Sequence, residues 1–97
     1  MKREEILRTA EKLISVDRKE SYGDLRNNFE TCAHLWSAWI EGRFGVSIDL
    51  EAEDVAIMNS LIKVARLSNN ITHEDSWVDI CGYAALGGEL ASGDIGE

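Results

Sequence analysis

The chain contains no proline, so none of its 97 residues is barred from a helix interior by a fixed φ or a missing amide hydrogen. It has two cysteines, Cys32 and Cys81, far apart and without a CxxC pair. They read first as two small buried side chains in a reducing cytosol, with a disulfide or a catalytic thiol as the alternatives. Positive charge is scarce: 10 Lys and Arg stand against 18 Asp and Glu, for a net charge of -8. That excludes the basic footprint that duplex DNA binding requires, but leaves room for a small anion held by a few local cations. No apolar run approaches the roughly 20 residues of a membrane span. The opening MKREEILRTAEKL interleaves charged and apolar residues, unlike a signal peptide. The expectation is a soluble cytoplasmic protein. A Walker A loop, a GxGxxG turn, an HExxH helix and a serine nucleophile elbow are all missing.

What is present is helical periodicity. A first helix is expected over about Lys2–Val16, with Ile6, Ala10, Leu13 and Ile14 as its apolar stripe. A polar loop, Asp17–Asp24, follows, with Gly23 as turn residue and Asp24 as N-cap. The second helix is expected over Leu25–Glu41, with Leu25, Phe29, Cys32, Trp36 and Trp39 in line and Ala33 and Ile40 beside them. Its Glu30, His34 and Glu41 form a loose metal-ligand spacing, and Gly42 ends it. Phe44, Val46 and Ile48 suggest a short extended piece. Asp49, Glu51, Glu53 and Asp54 then suit the positive N-terminal end of a third helix, Glu51–Leu67. Val55, Met58, Ile62 and Ala65 make its main stripe, widened by Leu61 and Val64.

The fourth helix, Thr72–Ala91, is apolar on nearly every side and organises the rest. Thr72 is its expected N-cap, with Asp75 at the capping-box position. Gly82, Gly87 and Gly88 each weaken a helix by roughly 1 kcal/mol relative to Ala, which implies close approach of another backbone. The fold class expected is all-α, a four-helix bundle. Residues 1–92 form one domain and 93–97 a flexible acidic tail. A domain this small buries proportionately little surface, so a homo-oligomer is expected.

Chemistry concentrates on the last two helices. Asp75, Asp79 and Tyr83 share one face at four-residue spacing, and a carboxylate on a buried helix needs an answering charge. Asn59, Lys63 and Arg66 share a face of the third helix. Two readings stay open. Lys63 or Arg66 pairs with Asp79 internally, or the cations face phosphate, with Asp75 and Asp79 free to hold Mg²⁺. Arg18, Lys19 and Tyr22, before the second helix, are further candidates for phosphate and base.

The residues Arg18, Tyr22-Gly23-Asp24, Asn28-Phe29, Leu35-Trp36, Asp54-Val55-Ala56, Lys63-Val64-Ala65-Arg66 and His73 through Leu86 resemble a small phage-encoded family of unknown function. The DSxxDxxGYxAL portion, Asp75 to Leu86, is the most specific part. That family is similar to the MazG-like all-α nucleotide pyrophosphohydrolases, which hold Mg²⁺ with an EExxE pair and an ExxD pair and work as dimers or tetramers. This chain departs from that pattern. Asp75 and Asp79 are an acidic pair at a different spacing, Glu30 is the only helper on the second helix, and Glu4-Glu5 lacks the third acid. The resemblance therefore implies a nucleotide-binding protein without turnover, such as a phage anti-defence sponge that sequesters a (cyclic) nucleotide signal in the host cytoplasm. Arg18, Lys63 and Arg66 would meet phosphate; Tyr22, Trp36 and Tyr83 would meet base or ribose; Asp75 and Asp79 would orient the cations. No cofactor is expected for that task. The alternatives are a nucleoside triphosphate pyrophosphohydrolase with Mg²⁺ on Asp75 and Asp79, and a structural or protein-interaction module.

Overall fold

The structure, a computed structural model, describes residues 1–15 and 18–93; the side chains of residues 18–24 lie outside the description. It is all-α: α1 Arg3–Ser15, α2 Arg18–Phe44, α3 Ala52–Asn69 and α4 Glu74–Ser92, with no strand among the described residues. None of these helices is long and apolar enough to cross a membrane. The tail 94–97, expected to be flexible, is outside the described residues.

Several boundaries differ from the periodicity reading. The loop expected over Asp17–Asp24 gives way to helix from Arg18 onward, so Gly23 is no turn and Asp24 no cap. One glycine costs a helix roughly 1 kcal/mol, and without proline nothing in the stretch forbids the α conformation. Gly42 does not end α2 either. The stop is Gly45, whose left-handed φ of 71° suits a residue without Cβ, and whose N–H donates to the Glu41 carbonyl at 2.8 Å. Phe44, expected in a short extended piece with Val46 and Ile48, is the last residue of α2, and residues 45–50 cross to α3 without a strand. The Ser37 hydroxyl holds this crossing by accepting from the Leu50 N–H at 2.9 Å while donating to the Ala33 carbonyl at 2.7 Å. At the start of α3 the Asp54 carboxylate accepts from the Glu51 N–H at 2.8 Å, consistent with the acids expected there.

The cap of α4 is His73 rather than Thr72. The Thr72 hydroxyl turns back to the Asn70 side chain at 3.1 Å, while His73 Nδ1 meets the Ser76 hydroxyl at 2.8 Å. Trp77 Nε1 donates to the Ile71 carbonyl at 2.8 Å and ties the α3–α4 loop to the first turn of α4. Ser76 is buried, so its bond with His73 removes what would otherwise be an unsatisfied hydroxyl.

Packing follows the order α1–α4–α3–α2, with α4 between α1 and α3 and α3 between α4 and α2. The helices make a row more than a ring, and the molecule is a slab of 45 × 38 × 19 Å. α4 is central, as its composition implies. Its glycines work on both sides. A Cβ on Gly82 would stand 3.3 Å from the Ile14 side chain of α1, and one on Gly87 would stand 3.0 Å from the Ala56 Cβ of α3. Gly88 has open space. The amino group of Met1 pairs with Glu74, so α1 and α4 start side by side; that carboxylate raises the pKa of the Met1 ammonium by hydrogen bonding to it.

The core is small: Ala10, Ala33, Ala52, Val55, Ala56, Leu67, Val78 and Leu90. The expected stripes are partly displaced. Leu13 of α1 and Trp39 of α2 are mostly exposed, and on α3 Leu61, Ile62 and Val64 are exposed although the periodicity placed them inward. The buried line of α3 is instead Ala52, Val55, Ala56 and Leu67, with the half-buried Asn59, Ser60 and Lys63 along the same face. Small residues face α4 because the Ala56–Gly87 approach leaves no room for large ones.

The glycines of α4 give a paired expectation. Gly87→Ala places a methyl against a helix that has no flexible side chain to move, and should destabilise by about 1–3 kcal/mol despite its better helix propensity. Gly88→Ala should stabilise by roughly 1 kcal/mol. Urea denaturation of the two variants reads the difference directly.

Candidate functional site

Two contacts set the register of α3 on α4. Ala56 meets Gly87, and Lys63 Nζ lies 3.1 Å from Asp79 Oδ2. Seven residues forward on α3 correspond to eight backward on α4, so the helices run antiparallel. The same register sets Asn59 opposite Tyr83 and Arg66 opposite the Asp75–Ser76 turn. The faces Asn59–Lys63–Arg66 and Asp75–Asp79–Tyr83, each recognisable from helical spacing, therefore lie along one seam.

The seam is graded in exposure. Lys63 and Asp79 are about one-third exposed, 28% and 35% by side chain, so their pair is neither dry nor fully screened. Arg66 and Asp75 are both exposed, and no ion pair joins them. Of the two cations that the helical spacing offers Asp79, Lys63 is the one that answers it. Two of the three ammonium hydrogens of Lys63 then remain for other acceptors.

Beside the pair, α1 and α4 enclose a cleft of about 170 Å³, lined by Ala10, Leu13 and Ile14 on one wall and Asp79, Gly82 and Tyr83 among the residues of the other. The α1 wall was not evident from sequence, where these residues form an ordinary core stripe. The pointer is Gly82: a missing side chain on α4 opposite Ile14 brings the helices close and leaves the space beside them open. The cleft is smaller than the 300–1,000 Å³ of most ligand sites. It has room for part of a nucleotide, such as a sugar or one phosphate.

Other candidates do not gather here. Trp36 is half-buried on α2, one helix removed from α4. The side chains of Arg18, Lys19 and Tyr22 lie outside the described residues. Glu30 pairs with Arg26 at 3.6 Å along α2, and His34 is exposed on the same helix. Among the described residues no group of three or more His, Cys, Asp or Glu side chains converges as a metal site, and Asp75 and Asp79 are the acids the seam itself would offer a divalent ion. Cys32 and Cys81 are free and half-buried.

The pair itself is measurable. Lys63→Met should lower stability by about 1 kcal/mol, between the value of an exposed pair and that of a buried one. A double-mutant cycle with Asp79→Asn should return a coupling of at least about 0.5 kcal/mol that weakens in high salt.

Comparison with known proteins adds the family context. A family model described as a domain of unknown function, DUF6378, matches residues 5–91. The chain is 43% identical over 81 residues to the Gene 55 protein of Mycobacterium phage L5, covering 84% of this chain and 49% of that protein. It is 37% identical over 81 residues to the Gene 55 protein of Mycobacterium phage D29, covering 84% and 50%. The chain thus spans about half the length of these curated relatives. No solved structure matches it.

Proposed function

From the premise that this chain belongs to the DUF6378 family, whose description assigns no activity, we propose that it binds a small phosphorylated nucleotide without hydrolysing it. The observation that carries the reading is the Lys63–Asp79 pair at the lip of the α1–α4 cleft, with Arg66 exposed one turn further along α3. Asp79 holds the Lys63 ammonium in place before any ligand arrives, which lowers the ordering cost of binding. A phosphate then takes the remaining hydrogens of Lys63 and the fork of Arg66. A ribose hydroxyl donates to Asp79 from within the cleft, and Tyr83 stands where a sugar or base edge would rest. Asp75, exposed at the end of the seam, completes the acceptor side. Trp36 is left to packing in this reading.

Hydrolysis has less support. A two-metal phosphoryl site needs several carboxylates around the phosphates, whereas this seam offers Asp75 and an Asp79 already engaged by Lys63. The same comparison bears on the resemblance to MazG-like pyrophosphohydrolases: the seam has their all-helical setting and acidic pair without the fuller carboxylate set. The relatives are phage proteins, and a phage protein that binds a nucleotide and does not turn it over would act as a sponge for a host defence signal, cyclic or linear. That step is by analogy, since fold does not determine function.

Isothermal calorimetry against a panel of linear and cyclic nucleotides should give heat for at least one. Arg66→Ala, whose exposed side chain has no ion-pair partner among the described residues, should weaken that binding about tenfold or more while leaving stability unchanged. The bound nucleotide should be recovered intact after incubation with Mg²⁺. Absence of heat across the panel defeats the reading; pyrophosphate release abolished by EDTA or by Asp79→Asn replaces it with the hydrolase.

A further inference from the structure

The α1–α4 cleft has one polar wall and one apolar wall. On α4, Asp79 and Tyr83 stand one turn apart on the same face, and across from them Ala10, Leu13 and Ile14 of α1 offer only hydrocarbon. Among the described residues that line the cleft, Asp79 alone carries a charge, and it is negative. A phosphate is repelled from that interior and stays outside, where Lys63 meets Asp79 from the α3 side. The Asp79 carboxylate has Lys63 as its one partner among the described residues, so lone pairs are left over. The Tyr83 hydroxyl has no hydrogen-bond partner among them. A guest that fills the cleft strips water from both groups and has to supply hydrogen bonds in its place.

Lys63 Nζ and Asp79 Oδ2 are 3.1 Å apart. A ligand that meets both at once carries an anion and a hydrogen donor close together. In a nucleotide the donors nearest a phosphate are the sugar hydroxyls, whereas the amino edge of a base stands farther out, across the sugar. A ribose also matches the two walls, because its hydroxyls project along one edge and its C–H face is apolar. The cleft volume of about 170 Å³ holds a sugar but falls short of a site for a whole nucleoside, so the base stays outside.

Granted the nucleotide binding proposed for this site, on which this step rests, we propose that the cleft selects ribonucleotides through the sugar and reads the base only weakly. Asp79 accepts from one ribose hydroxyl and Tyr83 bonds the other. A deoxy sugar leaves a desolvated carboxylate or phenol without its partner, and a site shaped to bond a hydroxyl rejects the analogue that lacks it. Asp79 is about one-third exposed, so the discrimination is smaller than in a dry pocket, about tenfold to a hundredfold.

Calorimetry of the full chain with ATP, UTP, cyclic AMP and cyclic UMP, each beside its 2′-deoxy analogue, and with 3′-deoxy ATP, reads the selection. Loss of at least one hydroxyl should weaken binding about tenfold or more. Adenine and uracil forms should agree within about tenfold, and ribose 5-phosphate should bind more tightly than inorganic phosphate. Asp79→Asn should bring the ribose-to-deoxyribose ratio toward one. Tyr83→Phe, which removes a hydroxyl without a partner among the described residues, should narrow that ratio with an unchanged melting temperature. A purely structural role for either residue would weaken ribose and deoxyribose forms alike, and that result overturns the inference. Deoxy analogues that bind as tightly as the ribonucleotides, or a base preference above about a hundredfold, also overturn it while nucleotide binding stands. Silence from every nucleotide overturns both.

Discussion

The close approach of Ala56 and Gly87 is the constraint on which the rest of the structure depends. Two helices meet there with a Cβ on one side and none on the other, and helix surfaces that near cannot slide without collision. The contact fixes the antiparallel register of α3 and α4, and the register decides which polar groups meet. Lys63 falls beside Asp79 because Ala56 falls beside Gly87. The pair contributes little to stability on its own, being partly exposed, but it follows from a packing decision made two turns away.

The same approach explains why α3 departs from ordinary amphipathic design. A helix seated on glycine must present small residues, and Ala52, Ala56 and Ser60 supply them. Its larger side chains are displaced to the outer face, where Ile57, Leu61 and Val64 stand uncovered. A row of four helices 19 Å thick cannot cover both sides of its inner members, so apolar surface remains. Seam and stripe are thus two consequences of one narrow contact: polar groups gather on the inward side of α3, apolar ones on the outward side.

Much of this was legible in the chain before any coordinates. The all-helical class follows from period and from the missing proline. The central place of α4 follows from its apolar character, and the close approaches at Gly82 and Gly87 follow from glycine where a helix gains nothing by it. Gly88 looks the same in sequence yet has open space, since a glycine does not reveal whether anything lies opposite. Helix ends were less legible: His73 and not Thr72 stands at the N-cap position of α4, with its ring bonded to the buried Ser76 hydroxyl, and helix ran through Gly23 and Gly42 where local rules placed turns.

Sequence alone determined the helices, the acidic surface and the two polar faces, because each depends on neighbours three or four residues apart. Tertiary structure alone decided that Lys63 and not Arg66 answers Asp79, that Gly82 opens a cleft against α1, and that the stripe of α3 points outward. Those outcomes depend on the relative rotation and register of separate helices, and periodicity within one helix holds no information about where its neighbour sits.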